Sequence, residues 1–278
     1  MEIEMHVDNE AFFTLRDYQQ TAFERELYSV ELPSGFPMFP LIHSADTVRH
    51  PDSNNLTADD ILRNGKILPV HCDVFNEDLI YTYIGRAAYR EVKCPCCFII
   101  KPQPELLQNI FIFDTGAYYE KRYSMLLDNV LDVNLFRIPA DVDYIRKFIM
   151  SYFGDNKRYL YSYPIRHNEL DKLSHLEEFS YIMLENLTTF DSIGFDDRCR
   201  TLENIVREPI DLRKSLQGIL FPQSVLESGR YIEWIEKMPV NLDIMTYDDS
   251  AGLADSHACQ DSMIKILDQY YQEKGYII

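Results

Sequence analysis

The sequence predicts an α+β fold whose sheet is assembled from segments that are distant in the chain. Strand-like and helix-like stretches follow one another without the strict alternation of a parallel α/β protein. We find no internal repeat, which excludes solenoid architectures. The chain has 278 residues, of which 46% are apolar, and this is enough for one large core. We therefore expect a single domain over residues 1–278, with residues 1–35 as an N-terminal arm.

The first elements of the chain are expected to be short. The stretch "RDYQQTAFEREL" predicts a helix within the arm. The proline-rich "LPSGFPMFP" predicts an extended segment, because proline has no N–H to contribute to a helix or a sheet. The run "FPLIHS" is typical of a strand, which we expect to end at His43.

A two-turn helix is predicted within "NLTADDILRNGKILP". Thr57 is a good N-cap, and Asp60 stands three residues later, where its side chain completes a capping box. Gly65 suits the left-handed conformation that commonly ends a helix.

The rest of the chain predicts further strands and amphipathic helices. Aromatic and β-branched residues favour strands, which are predicted in "DLIYTYIG", "FIIK", "NIFIFDTGAY", "CRTLENIV" and "QGILFP". Apolar residues at helical spacing predict helices in "PADVDYIRKFIMSYFGDN", "LSHLEEFSYIMLENL" and "DSMIKILDQYYQEKGYII". The residues from Asp114 to Gly116 are expected to form the turn that ends their strand.

Charge and cysteine content limit the classes of function. With 27 basic and 45 acidic residues the formal net charge is −18, which disfavours non-specific binding to nucleic acids or anionic membranes. Six cysteines, three of them in "CPCC", do not resemble a disulfide framework. No stretch resembles a signal peptide or a membrane span. We expect a cytoplasmic protein with reduced cysteines.

Three segments place polar residues at or near predicted strands. The first is "LIHS" with "ADDILRNGKI", in which His43 ends a strand and a short helix follows. The second is "IYTYIGRAAYR", an aromatic strand followed by a glycine and two arginines. The third is "CRTLENIVREPIDLRKSLQGILFP", in which Glu203 lies on a strand that precedes a proline turn and a further strand.

In this order the three segments resemble the motifs of the ADP-ribosyltransferase fold, in particular those of the DarT-type enzymes of bacterial toxin-antitoxin and phage-defence systems. The resemblance implies a split, mixed or antiparallel sheet with peripheral helices. It also implies transfer of ADP-ribose from NAD, the co-substrate, to a macromolecular acceptor, either a nucleic acid or a protein, with NAD hydrolysis as an alternative reaction. A neutralising antitoxin or a phage trigger would be the regulatory partner, and no membrane is involved.

The resemblance assigns the catalytic roles to Glu203 and Arg86. Cleavage of the bond between nicotinamide and ribose develops positive charge on the sugar, which a nearby carboxylate stabilises. Arg86 or Arg90 would donate hydrogen bonds to the pyrophosphate of NAD. Thr201 stands two residues before Glu203, where the family often has Gln or Glu, so the acceptor is not predicted. The structural alternatives are ion pairs for the arginines and a solvent-facing strand position for Glu203.

The resemblance makes His43, Tyr81 and Tyr83 the remaining NAD-binding residues. His43 would orient NAD by hydrogen bonds without carrying a charge. Tyr81 and Tyr83 share a strand face, on which an aromatic ring can stack on nicotinamide. A histidine after a strand is, however, often purely structural, and tyrosines are common in strands for packing reasons.

Three other functions compete with this interpretation. The "FDTG" run at Asp114 resembles half of an aspartic protease site, but such a site requires a second aspartate. Cys94, Cys96 and Cys97 with His71 or Cys72 offer zinc ligands, although their spacings are shorter than those of structural zinc sites. A non-catalytic acidic interaction protein, or an inhibitor of a basic partner, is the third alternative. An enzyme is expected to gather His43, Arg86 and Glu203 in one cleft, which an interaction protein does not need.

Overall fold

A computed structural model describes residues 13–49, 55–87, 95–120, 132–163, 197–239, 241–250 and 256–278. These residues form a nine-stranded sheet, a separate two-stranded sheet and peripheral helices. The prediction of a mixed α+β fold is confirmed. None of the helices in the described part of the chain has the length and apolar character needed to cross a membrane.

The strands are numbered in chain order. They are β1 Leu41–Ala45, β2 Lys66–Ile67, β3 Val70–Cys72, β4 Glu77–Ile84, β5 Cys96–Ile100, β6 Asn109–Phe111, β7 Arg137–Ile138, β8 Glu203–Val206, β9 Ile210–Asp211, β10 Leu216–Pro222 and β11 Asp243–Tyr247.

The α-helices are numbered in the same way. They are α1 Ala22–Tyr28, α2 Ala58–Asn64, α3 Thr115–Tyr119, α4 Val142–Phe153, α5 Asn156–Leu160, α6 Leu212–Ser215, α7 Gln223–Glu227, α8 Ile232–Ile235 and α9 Ser256–Glu273. Three 3-10 helices accompany them in the described ranges: Pro104–Leu106, Val133–Phe136 and Asp197–Arg200.

The large sheet has the order β11-β10-β5-β1-β4-β8-β6-β7, and β3 pairs with β4 outside this path. The pair β10–β11 is parallel and the other pairs are antiparallel. Five of the eight strand pairs join strands that are not consecutive in the chain, in agreement with the prediction. The centre of the sheet is formed by β1, β4 and β8, which carry the three segments that resemble ADP-ribosyltransferase motifs.

The sheet opens between β1 and β4. These strands pair only at Leu41 with Ile84 and at Ile42 with Tyr83. Beyond this point β1 continues along β5 as far as Ala45, while β4 continues along β8 and then β3. The sheet is therefore split between β1 and β4 beyond these two residue pairs.

The local predictions for α2 and α4 are confirmed. The Thr57 side chain accepts a hydrogen bond from Asp60 N, the Asp60 side chain accepts one from Thr57 N, and Gly65 adopts φ +67°. Helix α4 ends at Gly154, which has φ +84°. The C-terminal helix is confirmed as α9, whereas the helix predicted in "LSHLEEFSYIMLENL" lies outside the described residues.

Several strand boundaries differ from the prediction. Strand β1 does not end at His43, because its pairing with β5 carries it to Ala45. Strand β8 begins only at Glu203, since the preceding residues Asp197–Arg200 form a 3-10 helix. Asp114 does not simply close a turn: its side chain accepts a hydrogen bond from Ala117 N and begins α3.

The described part of the predicted N-terminal arm packs on the core. Phe23 and Leu27 of α1 are fully buried. Phe13 N donates a hydrogen bond to Val74 O at 3.2 Å, and Thr21 Oγ1 donates to Arg137 O at 2.7 Å. These contacts tie residues 13–28 to the residues that follow β3 and to β7.

Candidate active site

A cavity of about 340 Å³ lies where β1 and β4 separate. This volume is near the lower end of the roughly 300–1,000 Å³ range of small-molecule sites. We call it the β1–β4 cavity, and its lining residues are His43, Ser44, Ala45, Asp46, Asn55, Leu56, Ile67, Leu68, Val70, Leu79, Ile80, Tyr81 and Tyr83. Three of the residues predicted from the sequence, His43, Tyr81 and Tyr83, are among them.

His43 bridges the opening between the two strands. Its Nδ1 atom lies 2.8 Å from Tyr81 O. Because a carbonyl oxygen can only accept, Nδ1 carries the proton. Burial lowers the pKa of His43 below its ordinary value, an effect partly offset by this hydrogen bond. The ring is therefore neutral at pH 7, and its Nε2 atom is an acceptor on a side chain that lines the cavity.

Tyr81 is fixed at both ends. Its carbonyl accepts the His43 proton, and its hydroxyl shares a hydrogen bond with the Cys72 thiol, 2.6 Å away. Burial raises the pKa of Cys72, so the thiol stays protonated at pH 7. The Tyr81 ring is held in place at the cavity wall without any charged partner among these contacts.

Tyr83 and Glu203 are direct neighbours across the sheet. Tyr83 of β4 pairs with Glu203 of β8, and Glu203 pairs in turn with Phe111 of β6. Residues that oppose one another in this way point to the same face. Tyr83 consequently lies between Glu203 and the cavity, while Glu203 itself is fully buried and does not line the cavity.

Only one of the two carboxyl oxygens of Glu203 has hydrogen-bond partners among the described residues. Its Oε2 atom accepts hydrogen bonds from Thr115 N at 3.0 Å and from Thr115 Oγ1 at 2.7 Å. Its Oε1 atom is buried without a hydrogen-bond partner among the described residues. Buried polar atoms are nearly always bonded, so this atom requires an explanation. Its strand neighbour Asn204 is a contrast, since its side chain bonds Thr82 Oγ1, Leu106 O and Gln108 N.

The environment of Glu203 favours its neutral form. Burial is the main reason that its pKa lies well above the ordinary value, and the negative charge of Asp114 acts in the same direction. Hydrogen bonds from Thr115 and the proximity of the Tyr83 hydroxyl act in the opposite direction. That hydroxyl has one proton, and its geometry directs this proton to Asp114 Oδ2 at 2.9 Å.

Asp114 belongs to this group of residues, although the sequence predicted only a backbone role for it. Its Oδ1 atom accepts from Ala117 N at 2.7 Å and caps α3, while Oδ2 accepts from Tyr83. The residue is 1% exposed. An aspartate at the start of a helix is a recognisable signal for capping, but the contact with Tyr83 depends on strand pairing that no local pattern reveals.

Arg86 lies beyond the end of β4 and does not line the cavity. It is buried, and its Nη1 atom donates to Thr201 Oγ1 at 2.8 Å, to Arg200 O at 3.0 Å and to Ser162 Oγ at 3.4 Å. These contacts connect the second segment to the residues that immediately precede Glu203. Arg86 thus holds the start of β8, and Arg90 lies outside the described residues.

The cysteines do not form a metal centre in the described part of the chain. Cys96 and Cys97 are consecutive residues of β5, and both are fully buried. Within the described ranges no three His, Cys, Asp or Glu side chains are grouped so that they could hold a metal ion. Cys94 lies outside those ranges.

Comparison with protein-family models, with curated proteins and with solved structures found no match to this chain. The candidate site therefore rests on its geometry. That geometry brings His43, Tyr81 and Tyr83 to one cavity, but neither Glu203 nor Arg86 lines it, so the expectation that His43, Arg86 and Glu203 share one cleft is not met.

Proposed function

We propose that the protein is an ADP-ribosyltransferase that binds NAD at the β1–β4 cavity and transfers ADP-ribose to a macromolecular acceptor. One observation carries the proposal. The three segments that resemble ADP-ribosyltransferase motifs are far apart in the sequence, yet they supply the three adjacent central strands β1, β4 and β8. The sheet opens between the first two of them, which agrees with the split sheet that the resemblance implies.

The lining of the cavity favours the nicotinamide-ribose half of NAD. Among the described residues that line it there is no lysine or arginine, and Asp46 is the one acid. An anionic pyrophosphate would therefore lose its hydration inside the cavity without finding a positively charged partner among these residues. Tyr81 and Tyr83 supply aromatic surface for the nicotinamide ring, and neutral His43 offers Nε2 to a ribose hydroxyl or to the amide. The phosphates then lie outside the cavity, and the role of Arg90 in binding them stays a prediction.

Glu203 is the group that acts on the developing charge. For this the Tyr83 ring has to leave its position beside Glu203, so that Oε1 faces the ribose and Tyr81 remains as the aromatic surface for the nicotinamide ring. Glu203 first loses its proton to solvent, and the resulting carboxylate stabilises the positive charge that develops on the sugar, since opposite charges interact strongly at low dielectric. In this proposal Arg86 contributes by holding the start of β8, because its described contacts are with Ser162, Arg200 and Thr201.

The test is to incubate the purified protein with NAD labelled separately in nicotinamide and in the adenylate phosphate, with and without a cell lysate. Free nicotinamide and phosphate label in the protein, RNA and DNA fractions are measured. We expect nicotinamide release from the wild type, and a loss of about 10²–10³-fold in Glu203→Gln, the effect of removing one preorganised electrostatic contact to a transition state. His43→Ala should raise the KM for NAD.

Two exposed residues provide matched controls. Glu208→Gln changes a solvent-exposed glutamate just after β8, and His71→Ala changes a partly exposed histidine of β3. Both variants should turn over NAD like the wild type. Absence of nicotinamide release and of NAD binding by the wild type, or full activity of Glu203→Gln, would contradict the proposal. The first result would favour an acidic interaction protein instead.

A further inference from the structure

Asp114 is a buried acid to which the proposed chemistry gives no role. It lies on the connection between β6 and α3, and its two carboxyl oxygens have different partners. Oδ1 caps α3 through Ala117 N, a local contact that a helix N-terminus commonly makes. Oδ2 accepts the hydroxyl proton of Tyr83, a residue 31 positions earlier on another strand.

The single hydroxyl proton of Tyr83 is thereby donated to Asp114, although the hydroxyl also lies close to Glu203. Glu203 Oε1 stays without a hydrogen bond among the described residues, although a hydroxyl stands next to it in register. A buried carboxyl oxygen normally takes any donor within reach. The preference of the Tyr83 hydroxyl for Asp114 therefore leaves Glu203 Oε1 unbonded among the described residues.

We propose that Asp114 is a positioning residue of the NAD site that acts through Tyr83. By accepting the Tyr83 hydroxyl it holds the Tyr83 ring between Glu203 and the β1–β4 cavity, and release of this hydrogen bond uncovers Glu203. This inference rests on the proposed function, because it concerns access of NAD to Glu203.

The charged and titratable groups that face Glu203 come from three neighbouring elements. Tyr83 comes from β4, Asp114 from the start of α3, and Cys72 from β3. Burial raises the pKa of Glu203 first, and the charge of Asp114 raises it further, whereas the Tyr83 hydroxyl lowers it. Removing the charge of Asp114 and removing the hydroxyl of Tyr83 should therefore shift the titration of Glu203 in opposite directions.

The experiment follows the titration of Glu203 itself. The protein is labelled with ¹³C at the glutamate side-chain carboxyls, and the Glu203 signal is assigned by its loss in Glu203→Gln. We expect Asp114→Asn, which can still cap α3, to lower the pH midpoint of Glu203, and Tyr83→Phe to raise it. Asp141→Asn changes the exposed cap of α4 in the same way, and should leave the Glu203 midpoint unchanged.

The pH profile of nicotinamide release gives the second readout. Asp114→Asn should shift its acidic limb to lower pH, which a loss of fold alone would not do. Two results overturn this inference alone if the wild type turns over NAD. One is an unchanged Glu203 midpoint in Asp114→Asn, and the other is a shift of the midpoint in the same direction in Asp114→Asn and Tyr83→Phe. Absence of wild-type turnover overturns the proposed function. If Asp114→Asn does not fold, an unchanged midpoint in Tyr83→Phe overturns the inference.

Discussion

Gly85 ends the strand that carries Tyr81 and Tyr83, and the structure explains why this position requires glycine. Its φ is +64°, in the left-handed region that residues with a Cβ atom avoid. A Cβ atom built on Gly85 would lie 2.5 Å from Cγ, 2.7 Å from Cδ2 and 2.8 Å from Cβ of Phe39. Phe39 cannot move easily, because it is fully buried and its ring packs at 4.8 Å from that of Tyr271.

We therefore expect Gly85→Ala to destabilise the protein by about 2–5 kcal/mol. The left-handed conformation accounts for about 1–2 kcal/mol, and the overpacking against Phe39 for about 1–3 kcal/mol. Gly35→Ala is the matched control, since Gly35 has φ +77° and a Cβ atom added there would meet nothing within 4 Å beyond its chain neighbours. It should show only the conformational cost, so the two variants should differ by about 1–3 kcal/mol.

Urea unfolding followed by circular dichroism measures both free energies of unfolding. The effect of alanine on the unfolded chain is the same at the two positions and cancels in the difference. Equal destabilisation of the two variants, within about 0.5 kcal/mol, would refute the reasoning, because it would mean that the contact with Phe39 has no energetic weight.

Two further predictions concern Glu203. The pKa of Glu203 is raised in the folded state. Its contribution to stability is therefore fully present below the ordinary glutamate pKa and is lost as the pH rises through the folded value. Glu203→Gln should be more stable than the wild type at pH 8 and lose this advantage at pH 4, as measured by urea unfolding at the two pH values. Thr115→Val removes the hydroxyl that donates to Glu203 Oε2 at 2.7 Å and should cost about 1–3 kcal/mol, whereas Thr115→Ser keeps the donor and should cost less; equal losses in the two variants would assign the effect to packing.

The elements that the sequence predicted best are those whose signals are local. The capping box of α2 depends on Thr57 and Asp60, three residues apart, and it forms as expected. The length of α4 follows from apolar spacing and from Gly154. Such features survive in the fold because the chain segment itself supplies both partners of each hydrogen bond.

Features fixed by tertiary contacts were not predictable. The late start of β8 is one of them, since Arg86 bonds Arg200 O and Thr201 Oγ1 and holds this segment against the end of β4. The opening of the sheet is another, because it arises where β1 follows β5 and leaves β4. For the same reason the sequence indicated His43, Tyr83 and Glu203 as separate candidates, but not that Tyr83 stands between Glu203 and the cavity.

The two faces of β4 and β8 separate structural residues from those that carry the proposed chemistry. On one face Thr82 and Asn204 bond each other, as buried polar residues with a purely structural role should. On the other face Glu203 has one oxygen without a hydrogen-bond partner in the described part of the chain, and its pKa is raised. A buried acid of this kind lowers stability at neutral pH, a cost that is characteristic of functional sites. The destabilising effect of buried Glu203 at neutral pH is thus an argument for its function that does not depend on the resemblance of its segment to any family.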